Sequence, residues 1–402
     1  MRILIVVPPL VGHSSPLLSL AEELVRRGHE VAWAGIGSFH RDFLPAGARL
    51  FECRTGWAEL PQRPPTLMGP GALKFFWEEV FVPLADGMAE DVEAAVQSFA
   101  PDVMVVDQQA LAGAMVAERL GIPWITSATT MIELVNPLAA LPKVLHWRDE
   151  LLLGLRQRIG NPAAVHDPLF SPWLTIAFGL EGLFEASTER PGSAWAGHPL
   201  GPVEFVGPVF RPAGLSAEDE RVMSWVQKST EPTVLVALGT TNVGAGNRFL
   251  HAAAGGLAAA GVRCVFADPA GALRDLPSPP GRLVAPRIPQ QQLLEHTAAF
   301  INHGGYNSVC EALWFAVPMV LAGIRDDQPI IAERAAAYGV GVAVRFSRST
   351  AQQIADATRT VLDDPVYQQN ARPYQEALRT AGGLCAAVDA IERVMDHAVA
   401  VS

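Results

Sequence analysis

Continuous apolar runs alternate with amphipathic stretches along most of this chain. Arg2–Val7 is one such run, short enough for a strand buried on both faces. Residues 16–27 then carry leucines at 17, 18, 20 and 24 with charges opposite, the period of a helix, and Gly28-His29 closes it. The segment 30–34 resumes as a strand. Asp102–Asp107 is a further buried strand with an acid at its carboxyl end, followed by a helix over 110–120 and a strand over 123–127. Strand, helix, strand in this order predicts a parallel, doubly wound α/β sheet whose working loops lie at the carboxyl ends of the strands.

The pattern becomes irregular and rich in proline and tryptophan between about 136 and 210, with 201–208 as the last extended piece. The polar stretch 211–232 reads as a linker. A second alternating series begins at the strand 233–238, with a turn at Gly239-Thr240-Thr241 and a helix over 248–260. Strands follow near 263–267 and 282–285, then a helix at 290–296 and a strand running into His303. A helix over 306–315, a strand at 319–322 and helices to the end complete it. The expected organisation is an N-terminal domain 1–210, the linker 211–232, a C-terminal domain 233–385 and a final helix 386–402, a candidate to pack back on the first domain. A cleft between two such domains is the expected ligand site.

Composition narrows the classes. The 402 residues exceed one ordinary core. A formal net charge of −11 argues against nucleic acid and against an anionic membrane surface as partners. The four cysteines (Cys53, Cys264, Cys310, Cys385) are scattered, as expected for thiols in a reducing cytoplasm. The apolar start stops at Pro8-Pro9 without a cleavage site, and no apolar run is long enough to span a bilayer. The expectation is a cytoplasmic protein. Its oligomeric state is left open, with a homodimer admitted.

The chemistry gathers at His303-Gly304-Gly305-Tyr306-Asn307-Ser308, where an apolar strand gives way to a helix. Backbone N–H groups at a helix N-terminus bind phosphate. Glu311 lies one turn beyond Asn307 and Ser308 on the same face, placed to accept hydrogen bonds from a ribose. Phosphate at the helix tip and ribose one turn away describe a nucleoside diphosphate. Gly239 and Thr240, in the turn after the first strand of this half, add amides and a hydroxyl. In the first half, His13 is expected in the loop after the first strand and Asp107 at the end of another. An imidazole can take a proton from an alcohol, and a carboxylate on its other nitrogen fixes the tautomer. Phe75, Phe76, Trp77 and Phe81 are candidates to line an apolar pocket in this half. His29, His40, His146, His166, His198 and His251 lack such context and read as surface or structural. No histidine pair has metal-ligand spacing with a carboxylate, so no metal is expected.

Several stretches together resemble the inverting GT-B glycosyltransferases that include plant secondary-metabolite glucosyltransferases and bacterial antibiotic glycosyltransferases. They are Arg287-Ile288-Pro289-Gln290, Leu294-Glu295-His296, the run from His303 to Ser308, Glu311, Ala316-Val317-Pro318 and Asp327-Gln328, with His13-Ser14-Ser15-Pro16 near the start. The resemblance implies two Rossmann-like domains facing each other across a cleft. It also implies a UDP- or dTDP-hexose as co-substrate, no further cofactor, and a small hydrophobic acceptor such as a polyketide or macrolide. It assigns the base and its partner to His13 and Asp107, phosphate to the His303–Ser308 loop, the nucleoside to Arg287, Ile288, Gln290 and Glu311, and the sugar hydroxyls to Asp327 and Gln328. Arg287 stands where the family has a tryptophan against the base, Ala316 replaces a glycine, and Ile331 replaces an asparagine. Two other readings share the fold: a nucleotide-sugar epimerase or hydrolase, and a non-catalytic partner protein. An oxidoreductase is disfavoured, because Pro8-Pro9-Leu10-Val11-Gly12 stands where a dinucleotide glycine motif would.

Overall fold

A computed structural model describes the chain apart from residues 56, 58, 59, 65, 66, 68, 184–189, 211–213, 240–245, 278 and 402, and apart from the side chains of 398–401. The chain divides into two compact units, Met1–Arg211 with Ala381–Ser402, and Pro212–Thr380.

The first unit holds a seven-stranded sheet: β1 (Arg2–Val6), β2 (Glu30–Ile36), β3 (Arg49–Cys53), β4 (Val103–Asp107), β5 (Trp124–Ala128), β6 (Thr175–Ala177) and β7 (Val203–Phe205). Their order is β3-β2-β1-β4-β5-β6-β7, and every pairing is parallel. The second unit holds six parallel strands: β8 (Thr233–Ala237), β9 (Arg263–Ala267), β10 (Arg282–Ala285), β11 (Ala299–Asn302), β12 (Met319–Leu321) and β13 (Gly341–Ala343). Their order is β10-β9-β8-β11-β12-β13. Each sheet therefore reverses its winding once, between β1 and β4 and between β8 and β11. The crevice outside the carboxyl ends at such a reversal is where open α/β sheets take ligands.

On one face of the first sheet, Ile3, Ile5, Val103, Val105 and Ile125 pack with Leu17, Leu20 and Leu24 of the helix Val11–Arg26. The final helix, Gly383–Val401, closes the same core with Ala387, Val388, Ala390, Ile391 and Met395. Polar contacts hold it there: Arg27 reaches Asp389 (2.5 Å) and Glu392 (2.8 Å), and Arg393 reaches Glu204 (2.6 Å).

Three expectations need correction. The stretch 211–232 is not merely a linker, for it contains the helix Ala217–Gln227. Ser216 and Asp219 form a reciprocal capping box at its start, and Val222, Met223 and Val226 bury its apolar face in the second unit. The C-terminal boundary lies earlier than 385, since Ala381 onward belongs to the first unit. The first helix begins at Val11 instead of Pro16, which puts His13 in its first turn, not in a loop. Leu10 O accepts from both His13 N (3.1 Å) and Ser14 N (3.0 Å), so the turn closes before the proline, whose missing N–H removes only one later bond.

The irregular region contains the helix Pro142–Ile159, whose buried side sets Arg148, Asp149 and Arg156 among Leu145, Leu152 and Leu155. Arg148 bonds Asp149 (2.7 Å) and Glu133 (3.2 Å), Asp149 accepts from Ser193 Oγ and Ala194 N (both 2.8 Å), and Arg156 pairs with Glu118 (2.9 Å). Paired and hydrogen-bonded in this way, charges can stay buried.

Candidate active site

In the first unit the reversal point brings together His13, just past β1, and Asp107, the last residue of β4. Both Asp107 oxygens lie 3.0 Å from His13 Nδ1. The carboxylate is fully buried (0% exposed), whereas the His13 side chain keeps 16% exposure. Oδ1 also accepts from Gln109 N (2.9 Å), and Oδ2 accepts from Thr129 Oγ1 (3.0 Å). Thr129 Oγ1 is in turn 2.6 Å from His13 Nδ1. With the Thr129 hydroxyl donating its hydrogen bond to Asp107, its oxygen accepts from Nδ1–H, and the imidazole is held as the Nδ1–H tautomer. The lone pair is then on Nε2, the atom that can take a proton from an alcohol.

Sequence reasoning paired His13 with Asp107 but missed Thr129. The signal was a hydroxyl residue just beyond the end of β5, the strand whose Ser127 pairs with Asp107. Next to this group, Ser14 Oγ donates to Pro8 O (3.3 Å) and approaches His40 Nε2 (3.5 Å). His40 is buried, and that burial pushes its pKa down to about 4, so it is a neutral structural residue.

Phe75, Phe76, Trp77 and Phe81 form one cluster. Phe76 stacks on Phe81 (5.6 Å), with Phe75 and Trp77 edge-on to them, and the Arg63 guanidinium lies 4.6 Å over the Phe76 ring. Three of these rings lie on a π-helical turn, Phe76–Phe81, that runs into the helix Val82–Phe99. Trp77 is buried, and the other three keep an exposed part.

In the second unit the reversal point carries Gly239 after β8 and His303 after β11. Thr240 lies outside the described residues. The His303 imidazole sits against two glycines: a Cβ on Gly239 would lie 2.7 Å from Nε2, and one on Gly305 would collide with the same atom. Burial pushes His303 down to about 4, so the ring is neutral. Nδ1 is buried and has no hydrogen-bond partner.

Gly304 has φ +73°, a conformation that costs residues with a Cβ, and a Cβ there would lie 2.7 Å from Gln328 O. Asn302 Oδ1 accepts from Gly304 N (2.7 Å) and fixes the turn, a role the sequence reading did not assign. Gly305 then caps the helix Tyr306–Trp314, with Asn307 exposed and Ser308 partly so in its first turn.

One turn on, Glu311 accepts from Gln290 Nε2 (2.5 Å) and Gln291 Nε2 (2.9 Å), and Gln290 also donates to Ser308 Oγ (3.3 Å). Burial pushes the Glu311 carboxyl above its ordinary range, against these hydrogen bonds. Gln290 begins the short helix Gln290–Leu294, with exposed Arg287 and half-buried Ile288 just before it. Asp327 is the N-cap of the helix Gln328–Ala337. Gln328 is buried, and its Oε1 accepts from Arg325 N (3.4 Å). The amide of Gln291, a further missed residue, holds the second oxygen of Glu311. Among the described residues no helix is long and apolar enough to cross a membrane.

Comparison with known proteins gives the same architecture. The family model described as UDP-glucoronosyl and UDP-glucosyl transferase matches residues 197–401. The chain is 29% identical to 4'-demethylrebeccamycin synthase of Lentzea aerocolonigenes, over 97% of this chain and 99% of that protein. It is 28% identical to zeaxanthin glucosyltransferase of Pantoea ananas, over 97% and 95%. Among solved structures it matches CalG4, the calicheamicin glycosyltransferase, with a TM-score of 0.75 at 23% identity over 98% of each chain. The fold is GT-B.

Proposed function

Because the chain belongs to the UDP-glucoronosyl and UDP-glucosyl transferase family and is a glycosyltransferase, we propose that it transfers a hexose, with inversion and without a metal, from a UDP- or dTDP-sugar to a hydroxyl of a small hydrophobic natural product. Relatives named for rebeccamycin, zeaxanthin and calicheamicin support that acceptor class. The observation that carries the chemistry is the His13–Asp107–Thr129 group, with Nδ1 held at 3.0 Å by a buried carboxylate. Nε2 takes the proton of the acceptor hydroxyl as its oxygen forms a bond to the anomeric carbon. The bond from that carbon to the diphosphate oxygen breaks, and the electron pair leaves with the diphosphate. Asp107 stabilises the imidazolium that results. Attack from the face opposite the leaving group turns an α-linked donor into a β-glycoside.

The second unit supplies the donor half. Amides at the start of the helix Tyr306–Trp314, together with Gly239, Thr240, Asn307, Ser308 and the His303 imidazole, meet the charge that grows on the departing diphosphate. Glu311 takes the ribose hydroxyls, and Asp327 and Gln328 take the sugar. Arg287 stacks its guanidinium on the base where relatives of this family use an indole, and Ile288 and Gln290 flank it. Phe75, Phe76, Trp77 and Phe81 give the acceptor an aromatic wall.

A thermal-shift panel of UDP, dTDP, GDP and ADP names the nucleotide, since binding to the folded state raises the melting temperature. Transfer to a panel of aglycones, wild type against Asp107→Asn and His13→Ala, then tests the mechanism. Both variants should bind the nucleotide normally and lose transfer by at least about a hundredfold. Transfer that survives His13→Ala intact would refute the assignment of the base.

A further inference from the structure

Gln108 follows Asp107 directly, and its backbone is pinned. Its N–H donates to Ser127 O (3.1 Å), and Ala110 N closes a turn onto Asp107 O (2.8 Å). The side chain is buried, at 3% exposure, yet neither Oε1 nor Nε2 has a hydrogen-bond partner. Buried amides are nearly always bonded at both ends, because an unmade bond costs the full desolvation of the group. An orphaned amide beside a catalytic pair calls for a partner from outside the fold.

Gln108 is the first residue past β4, in the turn at the carboxyl end of that strand. Val105 belongs to the core that includes the helix Val11–Arg26, and Asp107 meets His13 of that helix. Val106 points the other way, where a Cβ on Gly113 of the helix Leu111–Leu120 would lie 2.7 Å from Cγ1. The helix Val82–Phe99 packs on the helix Leu111–Leu120 and enters β4 through only Ala100-Pro101-Asp102. It therefore runs back against the strands. Its leading end, the π-helical turn with Phe76, Trp77 and Phe81, lies toward the carboxyl ends where Gln108 sits. Turns of this kind are rare and are frequent at functional sites.

We propose that the Gln108 amide recognises the acceptor. Its C=O and N–H would pair with an N–H and C=O presented side by side, as on the edge of a lactam or primary amide in an otherwise apolar ring system. This deepens the proposed function and rests on its assignment of the acceptor to the first unit.

The test uses Gln108→Met in the full chain, a near-isosteric apolar replacement. Two acceptors are compared: a hydroxyquinolinone, which has a phenol and a lactam edge, and a naphthol of the same ring size, which has the phenol alone. Affinity is read by tryptophan fluorescence quenching, independent of turnover, and KM by transfer from the donor that the wild type accepts. The expected result is a rise of about tenfold in Kd and KM for the quinolinone, the worth of roughly one neutral hydrogen bond, with the naphthol unchanged within about twofold. The melting temperature should hold or rise, because no bond within the fold is lost.

An equal effect on both acceptors, no effect on either, or a lowered melting temperature would overturn the assignment. So would a wild-type chain that binds neither compound. If the wild type binds both but transfers to neither, the quenching comparison still decides the role of Gln108, while the acceptor chemistry proposed above is what fails.

Discussion

Lowering the pH from 7 to 5 should weaken the second unit through His303. In the folded protein burial pushes this imidazole down to about 4 from an ordinary 6.5. As pH falls, the unfolded chain takes up the proton first, near 6.5, and the folded chain resists until about 4. The contribution is therefore intact above 6.5 and is lost progressively between 6.5 and 4. At pH 5 the linkage integral comes to about 2 kcal/mol, against about 0.2 kcal/mol at pH 7. Glu311 acts in the opposite sense. Its pKa is raised, so the folded state gains relative stability as the carboxyl protonates. Wild-type stability alone would blend the two, and the comparison must be with His303→Gln, which keeps Glu311. Native-state hydrogen exchange at the amides of β8 and β11 reports the opening free energy of this unit separately. The wild type should lose about 2 kcal/mol more than the variant between the two pH values. Equal losses would mean that His303 is not a buried neutral base, and the picture of a phosphate loop built on an uncharged imidazole would be wrong.

Thr129→Val removes a hydroxyl from Asp107 and His13 at nearly constant volume. It should lower kcat by about tenfold, the scale of one hydrogen bond to a charged group, with nucleotide affinity unchanged in the thermal-shift assay. Gly304→Ala places a Cβ against Gln328 O at a positive φ, so it should cost at least about 1–2 kcal/mol in denaturant titration and remove nucleotide binding. Truncation after Gly382 takes Val388, Ile391 and Met395 out of the first core. At about 1.5–3 kcal/mol for each buried side chain, that approaches the whole stability of a domain. Limited proteolysis should then digest 1–211 while 212–380 resists.

The strands at the centre of each sheet were legible because they are buried on both faces and read as unbroken apolar runs, as in Ile3–Val7 and Ala299–Ile301. The glycine-rich loop after β11 was equally plain, since its backbone needs conformations that only glycine adopts cheaply. The helix Pro142–Ile159 was not legible, because Arg148, Asp149 and Arg156 are buried as ion pairs and mimic a solvated face. The helix Ala217–Gln227 was hidden for a related reason: its first turn is Glu218-Asp219-Glu220, and only Val222, Met223 and Val226 betray a buried side. The short strand β6 forms because neighbours pair with it, which no local period records, whereas β7 falls within the extended piece 201–208 read from the sequence. Thr129 shows the same limit at the site, for it reaches Asp107 only through the register of β5 against β4.

The return of the last helix to the first unit has a consequence for biogenesis. A nascent chain emerging from the ribosome presents β1–β7 early but lacks Val388, Ile391 and Met395 until the whole of the second unit has been made. The contiguous second unit has all its parts sooner and can reach its native state first, against the order of synthesis. Until the last helix docks, the part of the first core that Ala387, Val388, Ile391 and Met395 cover stays open, a surface that chaperones bind and that aggregation exploits.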